Sequence, residues 1–194
     1  MRTAKISRTT LETNIDLQLS IDGQGQYEIH SGIGFINHML TLFSVHSDFD
    51  LILKAEGDLD VDCHHTIEDI GIVLGKAFND VLNEKKGIKR YSSIYIPMDE
   101  ALVLVAVDIS NRPYLVFNVD FQKESLGSVD TQMFKEFFRA FVNEARISLH
   151  INLIYGENDH HKIESVFKGL ARALKEATRI DENKDKVLSS KGCL

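Results

Sequence analysis

The chain has 194 residues, and 22 Lys+Arg against 29 Asp+Glu give a formal charge of −7, with no long basic block. That length suits one compact domain or two small halves, and the acidic balance argues against a nucleic-acid backbone or an anionic membrane as main partner. No apolar run approaches the roughly 20 residues of a membrane helix, the start Met1-Arg2-Thr3-Ala4-Lys5 lacks an apolar signal core, and two cysteines, Cys63 and Cys193, make no disulfide scaffold, so a reducing cytoplasm is the expected compartment.

Taken in chain order, Thr3–Thr10 and Thr13–Ile21 alternate as strands, Asp22-Gly23 and Gly25 supply a turn, and Tyr27–His30 returns as a third strand. Phe35, Met39, Leu42 and Phe43 then mark a helix ending near Ser47. Phe49–Ala55 reads as a strand, and Ile67, Ile70, Val73, Leu74, Ala77, Phe78 and Val81 form one apolar helical stripe. After Gly87 the order repeats. Tyr91–Ile96, Ala101–Ile109 and Tyr114–Phe121 read as strands, the second apolar enough to be buried on both faces. Asp130–Ala145 reads as a helix, Ile147–Tyr155 as a strand, and Ile163–Ala177 as a helix. The pattern β-β-β-α-β-α therefore appears twice, over about residues 1–87 and 88–183, with a tail from Lys184 to Leu194.

The repeat also shows in the residues. His64-His65-x-x-Glu68 recurs as His160-His161-x-x-Glu164, and Leu40–Phe43 falls against Phe138–Phe141, with a two-residue gap in the strand-to-helix loop. His38 then pairs with Glu136. An internal duplication is the economical reading. On a helix, residues four apart lie on one face while neighbours point about 100° apart. His64 with Glu68, and His160 with Glu164, can thus each chelate one ion, while His65 and His161 point elsewhere. Pseudo-twofold symmetry gives each metal one chelating pair and the lone histidine of the other motif. That predicts His38, His65, His160 and Glu164 around one ion, and His64, Glu68, Glu136 and His161 around the other. Imidazole and carboxylate together suit Mn, Fe, Co or Zn. A catalytic ion with open positions and a structural ion both remain consistent with this donor set.

Other residues are less specific alone. Arg90 and Arg112 sit where arginine can clamp a phosphate, although surface ion pairs are the favoured account on sequence. Lys168 lies one turn after Glu164 and can place a cation near the site. Ser189-Ser190-Lys191-Gly192 fits an anion-binding loop or a frayed tail, and Glu12 by itself is only a polar residue between two strands.

The segment Gly57-Asp58-Leu59-Asp60-Val61-Asp62-Cys63-His64-His65-Thr66-Ile67-Glu68-Asp69-Ile70-Gly71 resembles the first signature of the imidazoleglycerol-phosphate dehydratases of histidine biosynthesis. Gly156–Lys168, around His160-His161-Lys162-Ile163-Glu164, resembles the second; Arg8-x-Thr10-x-Glu12-Thr13, Gly34-Phe35-x-x-His38-Met39-Leu40 and the closing Ser-Lys-Gly match as well. The resemblance covers nearly the whole chain. It implies a single α+β domain of duplicated ribosomal-protein-S5-domain-2-like halves, with helices between two four-stranded sheets. It also implies removal of water from D-erythro-imidazole glycerol phosphate to give imidazole acetol phosphate, two Mn²⁺ ions per site, and 24-subunit homo-oligomers whose neighbouring chains complete the sites. The eight metal ligands fall on the residues grouped above; Glu12, His38, His46, Arg90, Arg112, Lys168, Ser190 and Lys191 match substrate-contacting positions. Glu136 stands where many members carry His, and Asn111 and Ser190 replace residues often seen as Gly and Thr.

The proton to be removed has no carbonyl beside it, so an ordinary enolate is not available. The expected chemistry has the metals bind both imidazole nitrogens, the ring expel the adjacent hydroxyl, and Glu12 act as base on the neighbouring carbon. Arg90, Arg112, Lys168, Ser190 and Lys191 would hold the phosphate. A dinuclear metallohydrolase and a metal-stapled assembly module are the competing readings.

Overall fold

The computed structural model describes residues 1–181 and 186–192; Cys193 and part of the expected tail lie outside the described residues. The first half runs β1 (Thr3–Thr9), β2 (Thr13–Ser20), β3 (Tyr27–His30), α1 (Gly34–Ser47), β4 (Asp50–Gly57) and α2 (His64–Leu82). The second runs β5 (Tyr91–Met98), β6 (Ala101–Asp108), β7 (Tyr114–Asn118), a hairpin of β8 (Ser125–Leu126) and β9 (Val129–Asp130), then α3 (Gln132–Ala145), β10 (Ser148–Tyr155) and α4 (Asp159–Thr178). The four-stranded sheets have orders β1-β2-β4-β3 and β5-β6-β10-β7, so both halves share one topology. In each, a crossover helix joins a parallel pair, β3 to β4 and β7 to β10. The duplicated α+β architecture of two sheets around four helices is therefore present.

Some boundaries differ from the sequence reading. The third strand of the second half stops at Asn118, and the β8–β9 hairpin, which periodicity did not indicate, fills the way to α3. Its two-residue strands are too short to show alternation. Both HHxxE helices begin at or just before their histidines, several residues ahead of the apolar stripes. The β6 strand is not buried on both faces. Ala101, Val103, Val105 and Val107 face the helices, while Leu102, Leu104 and Ala106 are partly exposed on an outer face that nothing among the described residues covers.

Helices from opposite halves pack on each other, α2 against α3 and α1 against α4, while α2 lines the first sheet and α4 the second. Phe137 and Phe138 of α3 meet Phe167 of α4 at ring distances of 5.5 and 5.1 Å, in the middle of the core. The approach of α2 to α3 depends on two glycines. A Cβ at Gly71 would lie 2.7 Å from the Phe137 carbonyl oxygen, and one at Gly75 would lie 2.5 Å from that of Phe141. The chain also buries a complete ion pair: Lys162 Nζ donates to Asp159 Oδ1 at 2.8 Å and to the Asp120 carbonyl at 3.0 Å. Asp159 Oδ2 accepts the backbone N–H groups of Gln122 and Lys123. This pins the 120–123 loop to the first turn of α4.

Candidate functional site

The sheet registers decide which chain segments meet. Thr13 pairs with Gly57, so the β1–β2 turn lies beside the exit of β4, where the Asp58 N–H donates to the Glu12 carbonyl at 3.1 Å. Leu102 pairs with Tyr155, which brings the Asp99-Glu100 turn beside the start of α4. Each half thus gathers a hairpin tip and a helix N-terminus at one end. Both helices start on an acceptor two residues before the first histidine of the doublet: the His64 N–H donates to Asp62 Oδ1 at 2.6 Å, and the His160 N–H to Asn158 Oδ1 at 2.9 Å. These contacts satisfy open N-terminal amides and hold each doublet in the first helical turn.

The i,i+4 geometry is realised in both motifs. His64 Nε2 lies 3.4 Å from Glu68 Oε2, and His160 Nε2 lies 3.1 Å from Glu164 Oε2. His38 reaches in from α1, its Nε2 at 3.8 Å from Glu164 Oε2. His38, His160 and Glu164 therefore offer three ligand atoms all within 4.8 Å of one another, the one such group of His, Cys, Asp or Glu among the described residues. Two imidazoles and a carboxylate at this spacing fit a first-row divalent ion. The ring of Phe35 packs edge-on against His160 at 5.3 Å and fixes its plane. Lys168 Nζ sits 2.5 Å from Glu164 Oε1. Burial disfavours the charged Glu164, but Lys168, with His160 and His38, outweighs it and holds the carboxyl below its ordinary pKa. The pKa of His46, on the same helix as His38, is pushed down by burial and then by Lys168 and Arg172, which favours the neutral imidazole.

The remaining expected ligands are engaged elsewhere. His65 Nδ1 lies 3.0 Å from Asp58 Oδ2 and 3.7 Å from Glu12 Oε2. His161 Nδ1 lies 2.7 Å from Glu100 Oε2. The hydrogen bond to Asp58 raises the pKa of His65, and that to Glu100 raises the pKa of His161. Glu100 is lowered to about 2, by His161 first and then by the Asn158 N–H. Glu136, on α3, pairs with Arg139 at 2.8 Å. One chain thus unites three of the four donors expected for one ion, without His65. Of the other set, it brings His64 and Glu68 to ion-pair distance but not Glu136 or His161.

Of the residues expected to grip the phosphate, Lys168 stays beside Glu164, and the other four form a second locus. Arg90, Arg112, Ser190 and Lys191 line one cleft with Ser110, Asn111 and Lys186. Buried Arg90 donates from Nε to Asp108 Oδ1 at 2.7 Å and from Nη1 to the Leu188 carbonyl at 2.5 Å, with its guanidinium 4.6 Å over the Tyr91 ring. Arg112 is exposed, 3.9 Å from Asp108. Asn111 has φ 60°, a left-handed conformation that glycine and asparagine tolerate best. Glu100 precedes β6 and Asp108 ends it, so at ~3.4 Å per residue the two loci are ~25 Å apart. Within one chain the cationic cleft does not face the His38, His160 and Glu164 cluster.

Sequence reasoning overlooked Asp58, Glu100 and the caps Asp62 and Asn158. A signal for Glu100 was available: like Glu12, it sits immediately before the second strand of its half. The imidazoleglycerol-phosphate dehydratase family model matches residues 31–174. The chain is 62% identical to the imidazoleglycerol-phosphate dehydratase of Clostridioides difficile (strain 630) over 194 residues, covering 100% of both. It is similar to the crystal structure of that dehydratase from Staphylococcus aureus subsp. aureus N315, with TM-score 0.84, 46% identity, and 92% of this chain and 99% of that one covered. The Pyrococcus furiosus structure, in complex with (S)-C348, matches with TM-score 0.84 at 39% identity, covering 97% and 100%.

Proposed function

The chain belongs to the imidazoleglycerol-phosphate dehydratase family, hydro-lyases of histidine biosynthesis acting on a phosphorylated imidazole, and from that footing we propose how its own residues carry the reaction. Two Mn²⁺ ions would be held, one by His38, His65, His160 and Glu164, the other by His64, Glu68, Glu136 and His161. The observation that carries this reading is the convergence of His38, His160 and Glu164 within 4.8 Å. Such ions, when bound, would supply positive charge that favours the deprotonated form of the substrate's imidazole.

The chain's residues do the rest. Glu12, exposed on the β1–β2 turn, takes the proton from the carbon next to the one that loses hydroxide. The enol so formed becomes the ketone of imidazole acetol phosphate, and one water leaves. Arg90, Arg112, Ser190 and Lys191 hold the phosphate dianion, and Lys168 and His46 line the path between ring and anchor. Glu136 makes its ion site more anionic than a histidine would.

The ~25 Å between the two loci exceeds what a glycerol chain spans, which supports a site completed by neighbouring copies; the family resemblance implies that these form a homo-oligomer of 24 subunits, and the cytoplasm is its expected compartment. The outer sheet faces, with exposed Tyr91, Tyr95 and Ile52, offer apolar surface to such neighbours. The test is ketone formation from imidazole glycerol phosphate by metal-stripped protein before and after adding Mn²⁺. Ketone that appears only with Mn²⁺ is the expected result. No ketone from protein that has rebound two ions, or release of inorganic phosphate instead, would overturn the assignment of roles.

A further inference from the structure

We propose that Glu100 and Asp58 are positioning residues, each accepting the Nδ1–H of the second histidine in its doublet so that Nε2 carries the lone pair a cation would take, with Asp99 Oδ2 3.7 Å from Nε2 of His161. The proposal rests on the metal reading above and extends it to residues outside the ligand set. Neutral imidazole exists in two tautomers, and only one carries its lone pair on Nε2. The first histidine of each doublet already turns Nε2 toward the glutamate one turn on, at 3.4 Å for His64 and 3.1 Å for His160. The second has its hydrogen-bond partner off its own helix. A carboxylate at its Nδ1 settles the tautomer, fixes the ring and makes Nε2 a stronger donor.

Glu100 is itself held in place. Its Oε1 accepts the backbone N–H of Asn158 at 2.6 Å and of Glu157 at 3.2 Å, which leaves Oε2 for His161 at 2.7 Å. Asp58 is fixed through its backbone to Glu12 and meets His65 Nδ1 at 3.0 Å. The two carboxylates come from non-equivalent places, Asp58 following the last strand of its sheet and Glu100 preceding the second of the other. Duplication alone would have left the same residue in both halves. Two different residues meeting the same ring nitrogen point to a shared requirement at that nitrogen.

The experiment titrates Mn²⁺ into full-length metal-stripped protein and reads free Mn²⁺ by its electron paramagnetic resonance. Wild-type protein should take up two ions per chain. Glu100→Gln should weaken one of them about ten- to a hundredfold and spare the other, and Asp58→Asn should do the reverse. Glu157→Gln, whose backbone alone meets Glu100, should bind as wild type. The unfolding temperature of each metal-free variant separates anchoring of the α4 start from the effect on the ion. If Glu100→Gln melts early yet binds both ions normally, Glu100 is only an anchor and the proposal fails for that half. If Glu100→Gln does not fold, Asp58→Asn decides alone, with unchanged affinity overturning the proposal. Wild-type protein that binds no Mn²⁺ would instead overturn the metal reading beneath it.

Discussion

Glu12 sits at the tip of an exposed hairpin, with its carbonyl held by Asp58 and its carboxylate 3.7 Å from His65. A fixed backbone with an exposed side chain suits a base that must approach a carbon and retreat. Glu12→Gln keeps the shape and removes the base, so kcat should fall by about 10²–10⁴-fold, while Mn²⁺ and substrate binding persist. Affinity lost together with turnover would count against the role. A second expectation concerns protons. His65 and His161 both titrate above the ordinary 6.5, because Asp58 and Glu100 favour the imidazolium. In metal-free protein each pair adds stability that is complete below 6.5 and is lost as pH rises through the raised value. An ion must displace that proton, so Mn²⁺ affinity should climb with pH above 6.5 and level off once both imidazoles have lost it. Calorimetry in buffers of different ionisation enthalpy would count the protons released, and an uptake independent of pH would contradict the assignment. The pairing of each first histidine with its glutamate was legible, because two HHxxE motifs at equivalent places are a strong signal. The carboxylate partners of the second histidines were not, since Asp58 and Glu100 meet the histidines only through sheet register, which no local spacing encodes.

At the scale of elements, the helices were legible as apolar stripes, but their partners were not. Gly71 and Gly75 are plain residues in the sequence of α2; in the fold they let it lie against the backbone of α3. Gly75→Ala should force the two helices apart or strain Phe141, costing about 1–3 kcal/mol, visible as a lower unfolding temperature with and without Mn²⁺. An unchanged unfolding temperature would mean the contact relaxes freely. The doubly buried reading of β6 failed for a related reason: an apolar strand tells how much surface seeks cover, but not whether the cover belongs to the same chain. Leu102 and Leu104 are partly exposed in one chain and face outward beside Tyr95.

For the whole molecule, the separation of the cationic cleft from the histidine cluster sets the strongest expectation. If catalytic sites draw on more than one copy, two inactive variants with lesions at opposite ends should complement each other. Glu12→Gln and Arg112→Ala protein, each inactive alone, should regain part of the wild-type rate after dissociation and reassembly together. Mixtures that stay inactive would require every site to be built within one chain. The overall architecture was legible as a repeated β-β-β-α-β-α order, whereas distance between loci was not, because a linear motif carries no information about which end of a strand it occupies.

The crossed pairing of helices has one more consequence. Neither half encloses its own core, because α2 rests on α3 and α1 on α4. As separate molecules the halves would meet only by diffusion, and their association would weaken with dilution. The connection from Asn83 to Arg90 makes that encounter internal, at an effective concentration of about millimolar for a short flexible join. Duplication in this chain therefore amounts to a dimer whose affinity for itself no longer depends on how much protein the cell makes.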